Sequence, residues 1–213
     1  IMDYTFFWIM GIMEYYRTYG DRKFVRQMLP QMKEVMAFCE SRESADGFMR
    51  EKPGDWIFID WAPMDKEGAL CGEQILYARA LECYGDLWEM ALSEEGTQPG
   101  EMQPREAVPE QTAETAMAMD TDMAMDAGMG IKIAKVYRQK ARRLYELIQE
   151  RFYDKEKEVF IDSYESGRRN VTRHSNILAY LFLPCSEKQK KDIYEKVILN
   201  EEVRQITTPY FKI

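Results

Sequence analysis

The chain has 213 residues, 46% of them hydrophobic and 13% aromatic, and a formal net charge of −8. That length and apolar content support one domain with a real core and exclude a disordered chain. The acidic balance argues against a nucleic-acid binder, because the basic runs Lys188–Lys191 and Arg138–Arg143 read as solvated helix faces, and no apolar run reaches the ~20 residues that span a bilayer.

The opening Ile1-Met2-Asp3 has no basic n-region of a signal peptide and does not read as a natural start. Residues 4–19 then read as an aromatic-rich helix closed by Gly20, with Tyr4 and Trp8 expected in the core. Asp21 is the expected N-cap of the next helix. There Phe24, Val25, Met28, Leu29, Met32, Val35, Met36 and Cys39 recur at three- and four-residue steps. Pro30 either kinks that helix or opens a new first turn.

Asp46-Gly47 is a turn signal, and Phe48–Arg50 is expected to pair with Trp56–Asp60 as a small hairpin around Pro53-Gly54. Helical period returns from Glu67, with Leu76, Ala80, Cys83, Leu87 and Ala91 on one face and Gly85 a local weak point. Residues 94–130 are rich in Pro, Gly, Glu, Asp and Met and contain the near-repeat Met117-Ala118-Met119-Asp120 and Met123-Ala124-Met125-Asp126. They read as an exposed, partly disordered acidic insertion in a domain that otherwise runs over 1–213. A Met-rich metal tract is disfavoured by the interleaved Ala and the lack of His.

Helix is expected again from about 131 to 152 with the stripe Ile133, Val136, Tyr137, Leu144, Ile148 and Phe152, then a β-like run Val159–Ser163. Helices near 173–183 and 186–199 follow, the second capped by Ser186. Cys71 and Cys83 share one helix, roughly 18 Å apart, too far for a disulfide. One His and scattered Cys disfavour a zinc site, and buried free thiols are expected. Asn170-Val171-Thr172 fits a glycosylation sequon, a tripeptide that recurs by chance.

The rhythm is helix pairs joined alternately by tight turns and by longer excursions holding short β-pieces. This is a mainly all-α architecture, part of an (α/α)6 toroid of helical hairpins. About six helices are present, and a closed ring of six hairpins needs about twelve.

Gly54-Asp55-Trp56-Ile57-Phe58-Ile59-Asp60-Trp61 places two Asp-Trp pairs around a β-type run. A carboxylate takes sugar hydroxyl protons while an indole covers an apolar C–H face; the plain alternative is a hairpin with Trp at its packing positions. By strand alternation Trp56, Phe58 and Asp60 share one side and Asp55, Ile57, Ile59 and Trp61 the other. Asp60 with Trp56 is favoured toward a site and the Ile residues toward the core. Glu73 either faces a cavity or is an ordinary exposed first-turn acid, and the second is favoured.

Asp3-Tyr4-Thr5 with Trp8, the helix end Tyr15-Tyr16-Arg17-Thr18-Tyr19-Gly20-Asp21, Leu29-Pro30-Gln31-Met32, Asp46-Gly47-Phe48, Gly54-Asp55-Trp56, Phe58-Ile59-Asp60-Trp61, His174-Ser175-Asn176-Ile177-Leu178-Ala179 and Thr207-Thr208-Pro209-Tyr210 follow one another in an order and spacing that resembles the catalytic (α/α)6 domain of bacterial α-L-rhamnosidases, glycoside hydrolase family 78. The likeness covers most of the chain outside 94–130. It implies inverting hydrolysis of terminal α-L-rhamnosides without a metal or organic cofactor. It also implies a carbohydrate partner, with the rest of the toroid and β-sandwich domains in the parent protein. The compartment stays open between bacterial cytoplasm, periplasm and exterior.

The family pattern places the general acid upstream of Asp3 and the base downstream of Tyr210, so the chain by itself is expected to be inactive. Asp60, Asp55, Trp56, Trp61, His174 and Asn176 are the substrate-binding candidates. His174, the single His, is either a satisfied structural residue or a sugar contact at the head of an inner helix. A non-catalytic scaffold or sugar-binding module, or another six-hairpin glycosidase such as an α-glucosidase type, is the alternative. Cutting a ring in half exposes apolar stripes, so self-association or low stability is expected.

Overall fold

The computed structural model describes residues 2–55, 57–58, 63–93 and 127–203. Its elements in chain order are α1 (Met2–Tyr19), α2 (Arg22–Glu40), α3 (Cys71–Leu92), α4 (Ala127–Phe152), β1 (Tyr153–Asp154), β2 (Val159–Phe160), α5 (Arg173–Phe182) and α6 (Glu187–Ile193), which runs into a single π-helical turn at Tyr194–Ile198. The helices pair as α1–α2, α3–α4 and α5–α6, and α3 also packs against α1, α2 and α5.

Local chemistry explains where the helices begin and end. Gly20, in the left-handed region at φ 67°, ends α1. Asp21 then accepts the Phe24 N–H and starts α2. Thr172 accepts the Ser175 N–H at the head of α5, and Ser186 with Gln189 forms a reciprocal capping box on α6. α2 runs through Pro30 as one helix. The ring costs one backbone hydrogen bond, and burial of Val25, Leu29, Met32, Met36 and Cys39 on the same helix offsets it at about 1.5–3 kcal/mol for each large side chain.

α3 is the central element. Eighteen of its 22 residues are buried, whereas α2 and α4 bury one stripe each. Gly85 is less a weak point than a place of close approach: a Cβ there would lie 3.1 Å from the Ala134 carbonyl oxygen of α4. At Gly130 a Cβ would lie 2.8 Å from the Trp88 oxygen. These two glycines let the backbones of α3 and α4 meet, and they explain why α4 starts at Ala127, four residues inside the stretch read as insertion. The rest of that stretch, 94–126, lies outside the described residues.

Two expectations are corrected. Among the described residues Phe48–Arg50 makes no forward pairing. It pairs back, with Ser44 N–H on the Phe48 oxygen, Arg50 N–H on the Arg42 oxygen and a bridge between Glu43 and Met49. The Asp46-Gly47 turn, with Gly47 at φ 86°, brings these residues together first. Tyr4 and Trp8 are not core residues; they are 56% and 39% exposed. α1 buries Met2, Phe6, Ile9, Met13 and Tyr16, and the four-residue step from Tyr4 to Trp8 runs along another face.

The β-like run does form, as β2 paired antiparallel to β1 with Tyr153 opposite Phe160. All four cysteines are free thiols.

Candidate functional site

Tight turns join α1 to α2 and α5 to α6, while the long excursions 41–70 and 153–172 lead into the first turns of α3 and α5. These excursions meet each other at one end of the helices. Arg50 pairs with Glu165 at 2.6 Å, and Arg168 pairs with Asp65 at 2.9 Å. The Ser163 hydroxyl donates to the Glu67 oxygen, and Ser166 donates to Asp65. The same end holds Asp3 from α1, which accepts the Phe58 N–H at 3.1 Å.

Asp162 is the hub between the two excursions. Its fully buried carboxylate accepts the Thr172 and Ser175 hydroxyls at 2.6 and 2.7 Å, the Asn170 amide at 2.6 Å and the Asp65 N–H at 3.2 Å. Burial raises its pKa, and these four donors work against the rise. The Asp162 carbonyl also takes the Cys71 N–H that opens α3. One residue therefore ties the heads of α3 and α5 together. Asn170, the sequon asparagine, spends its amide here, so a glycan on it would break the hub.

The sequence candidates fall into two groups. Asp60, Trp56 and Trp61 lie outside the described residues. Their neighbour Ile57 is buried, on the core side that alternation gives it. Asp55 is gripped by Arg42 through two hydrogen bonds, 2.8 and 3.2 Å, and accepts the Lys52 N–H. The Arg42 guanidinium and the Lys52 N–H hold its carboxyl below the usual range.

His174 is fully buried at the head of α5. Asn176 is fully buried and spent on backbone: its oxygen accepts the Phe160 N–H, and its amide hydrogens go to the Phe160 and Thr172 oxygens. It fastens β2 to α5.

Glu73 is the residue the sequence placed wrongly. It was expected as an exposed first-turn acid, yet it is 1% exposed. Its Oε1 has no hydrogen-bond partner, and its Oε2 has a long contact of 3.4 Å from Gln74 Nε2. Burial pushes its pKa well above the usual carboxyl value, and the negative charges of Glu51, Asp3 and Asp55 add to the rise. The neighbouring Gln74 clamps the Met49 backbone, accepting its N–H and donating to its oxygen, so the first turn of α3 lies beneath Met49. Asp162 had no signal in the sequence beyond its place after an apolar run.

The comparisons with known proteins bear on this end of the molecule. Residues 1–98 match the model of the bacterial alpha-L-rhamnosidase 6 hairpin glycosidase domain. The crystal structure of a GH78 family rhamnosidase of Bacillus sp. GL1 superposes with a TM-score of 0.72 over 99% of this chain, at 21% identity.

The chain has the fold of part of the six-hairpin domain of that rhamnosidase structure. It spans 19% of the length of the Bacillus structure, and no curated protein matches it.

Among the described residues no group of three or more His, Cys, Asp or Glu is arranged to hold a metal ion. Among the described residues no helix is long and apolar enough to cross a membrane.

Proposed function

We propose that this chain forms part of the substrate pocket of a glycoside hydrolase that removes terminal α-L-rhamnose with inversion. The observation that carries the reading is the convergence of the two excursions and the first turns of α1, α3 and α5 at one end, in a chain whose residues 1–98 match the rhamnosidase domain model. Inversion needs a protonated carboxyl beside the leaving oxygen and a carboxylate that activates water on the opposite face, roughly 6.5–9.5 Å apart. We assign both to parts of the parent protein beyond this chain.

Within the chain, Asp60 accepts hydroxyl protons and Trp56 and Trp61 cover the apolar face of the sugar, while His174, fully buried, supports the head of α5 from within. Asp55 and Asn176 act on the protein rather than the sugar. Asp55 locks the approach to the segment through Arg42, and Asn176 fixes the head of α5.

The test is titration of the purified chain with L-rhamnose and D-glucose, together with an aryl rhamnoside assay. L-rhamnose is expected to bind more tightly, and Asp60→Ala to abolish the preference. Hydrolysis by the chain is expected to stay at the level of an unrelated protein. Equal or stronger binding of glucose would favour a different six-hairpin glycosidase, and binding of neither sugar would favour a non-catalytic scaffold.

A further inference from the structure

α5 is a short helix beside two long ones. It has 10 residues where α3 has 22 and α4 has 26. At 1.5 Å per residue it spans about 15 Å, against about 33 Å for α3. Asp162 ties its head to the head of α3, and its last residue, Phe182, lies beside Arg79 of α3, with the guanidinium 6.0 Å from the ring. Leu183 turns to extended backbone at ψ 149° and Pro184 follows, so the helix stops there. Past this stop α3 and α4 lose their cover, and the opening is a cavity of about 440 Å³.

The walls of the cavity are charged. On α3, Arg79, Glu82 and Asp86 follow one another at three- and four-residue steps and share one face. Facing them on α4 are Arg138, Arg142 and Tyr145, so part of the basic run that reads as a solvated face lines a cavity instead. Arg79 pairs with Glu82 at 2.5 Å, and the Tyr145 hydroxyl donates to the same carboxylate oxygen at 3.2 Å. Arg138 pairs with the nearly buried Asp86 at 2.5 Å and with Glu89, one turn further along, at 2.6 Å.

Arg142 differs from the other two arginines. It is exposed and has no hydrogen-bond or ion-pair partner among the described residues. In a chain of net charge −8, three guanidiniums to two carboxylates leave this lining with one positive charge in excess. The paired acids each keep an oxygen in reserve: Glu82 Oε1 and Asp86 Oδ2 accept no hydrogen bond among the described residues.

We propose that this cavity binds a small hydroxylated oxyanion, a carboxylate or a phosphate monoester, with Arg142 holding the charged group and Glu82 and Asp86 accepting its hydroxyls. A guanidinium meets carboxylate or phosphate oxygens with two parallel N–H bonds. The two carboxylates repel a bare anion and reward one that brings hydroxyl donors. The Phe182 ring and Pro184 give the carbon chain of such a ligand an apolar side. The volume falls in the range of small-molecule sites, about 300–1,000 Å³. Glu82 and Asp86 stand 11 and 15 residues along α3 from Cys71, roughly 16–22 Å from the end where the excursions meet. The site is therefore separate from the proposed sugar pocket, and neither reading depends on the other.

The test is titration of the purified chain, at low salt, with glycerol 3-phosphate, D-glycerate and glycerol, followed by backbone amide shifts. At least one of the two acids is expected to bind with a Kd of about 1 mM and to move the Tyr145 and Leu183 amides, and glycerol is expected to bind at least about tenfold more weakly. The tighter acid identifies the charged group as phosphate or carboxylate. Arg142→Gln is expected to weaken binding by at least about tenfold. Arg143→Gln removes the next arginine of α4, which pairs with Glu146 and does not line the cavity, and is expected to weaken it by less than about twofold. Arg142 has no partner to lose, and the shift map of the wild-type chain reads the site without any variant. No binding of either acid by about 10 mM would overturn the proposal. So would shifts confined to the heads of α3 and α5, an equal loss in the two variants, or glycerol binding as tightly as the acids.

Discussion

Asp162 shows what a single side chain does for this end of the molecule. Four donors, from Asp65, Asn170, Thr172 and Ser175, converge on one buried carboxylate, and without it they lose their shortest or only acceptor. Asp162→Ala is therefore expected to destabilise the chain by about 3–5 kcal/mol, read by chemical denaturation. Loss within the range of ordinary surface substitutions would show that the hub is replaceable by water. Glu73 is the opposite case, a buried carboxyl with too few donors, and burial raises its pKa with no set of donors to work against the rise. Neither role was legible in the sequence. A residue's burial depends on which distant segments fold over it, and the sequence around Asp162 and Glu73 specifies only the local element.

At the scale of elements, the pairing of α3 with α4 is decided by glycines. Replacing Gly130 by Ala would place a methyl 2.8 Å from the Trp88 carbonyl oxygen. The gain in helix propensity, up to about 1 kcal/mol, is outweighed by overpacking of about 1–3 kcal/mol, so net destabilisation is expected. Gly11 in α1 is the control, because nothing lies within 4 Å of a Cβ built there. Gly11→Ala is expected to stabilise by about 0.5–1 kcal/mol. Thermal melts of the two variants should thus shift in opposite directions; a shift of the same sign would show that the close approach of α3 and α4 is not what Gly130 serves. The starts of α2 and α6 were legible, because Asp21 and Ser186 act on N–H groups three residues away; the Thr172 cap of α5 was not read. The pairing of Phe48–Arg50 was not legible, since two backbone partners competed and the nearer turn won.

At the scale of the whole molecule, the apolar surface is uneven. Tyr4, Trp8 and Tyr19 are exposed on α1, and Leu181, Tyr194 and Leu199 are exposed toward the other end of the chain. Large aromatic side chains left in water favour association. The chain is expected to self-associate in sedimentation velocity runs. Tyr4→Lys combined with Trp8→Lys is expected to weaken that association by at least about tenfold, the equivalent of about 1.4 kcal/mol. A wild-type chain that stays monomeric at high concentration would refute this.

The sequence by itself determined the mainly helical class, the capped starts of α2 and α6, the β-like run after α4 and the order of motifs that resembles the rhamnosidase ring. All of these are written in neighbours a few residues apart or in the order of segments along the chain. Only the tertiary structure decided that Tyr4 and Trp8 face outward, that Glu73 is buried without a counter-charge, that Asn176 is spent on the backbone, and that Asp162 joins the heads of two helices. The reason is common to all four. Exposure and hydrogen-bond partners are set by contacts between residues far apart in the chain, and periodicity along one helix says which residues share a face but not what that face meets.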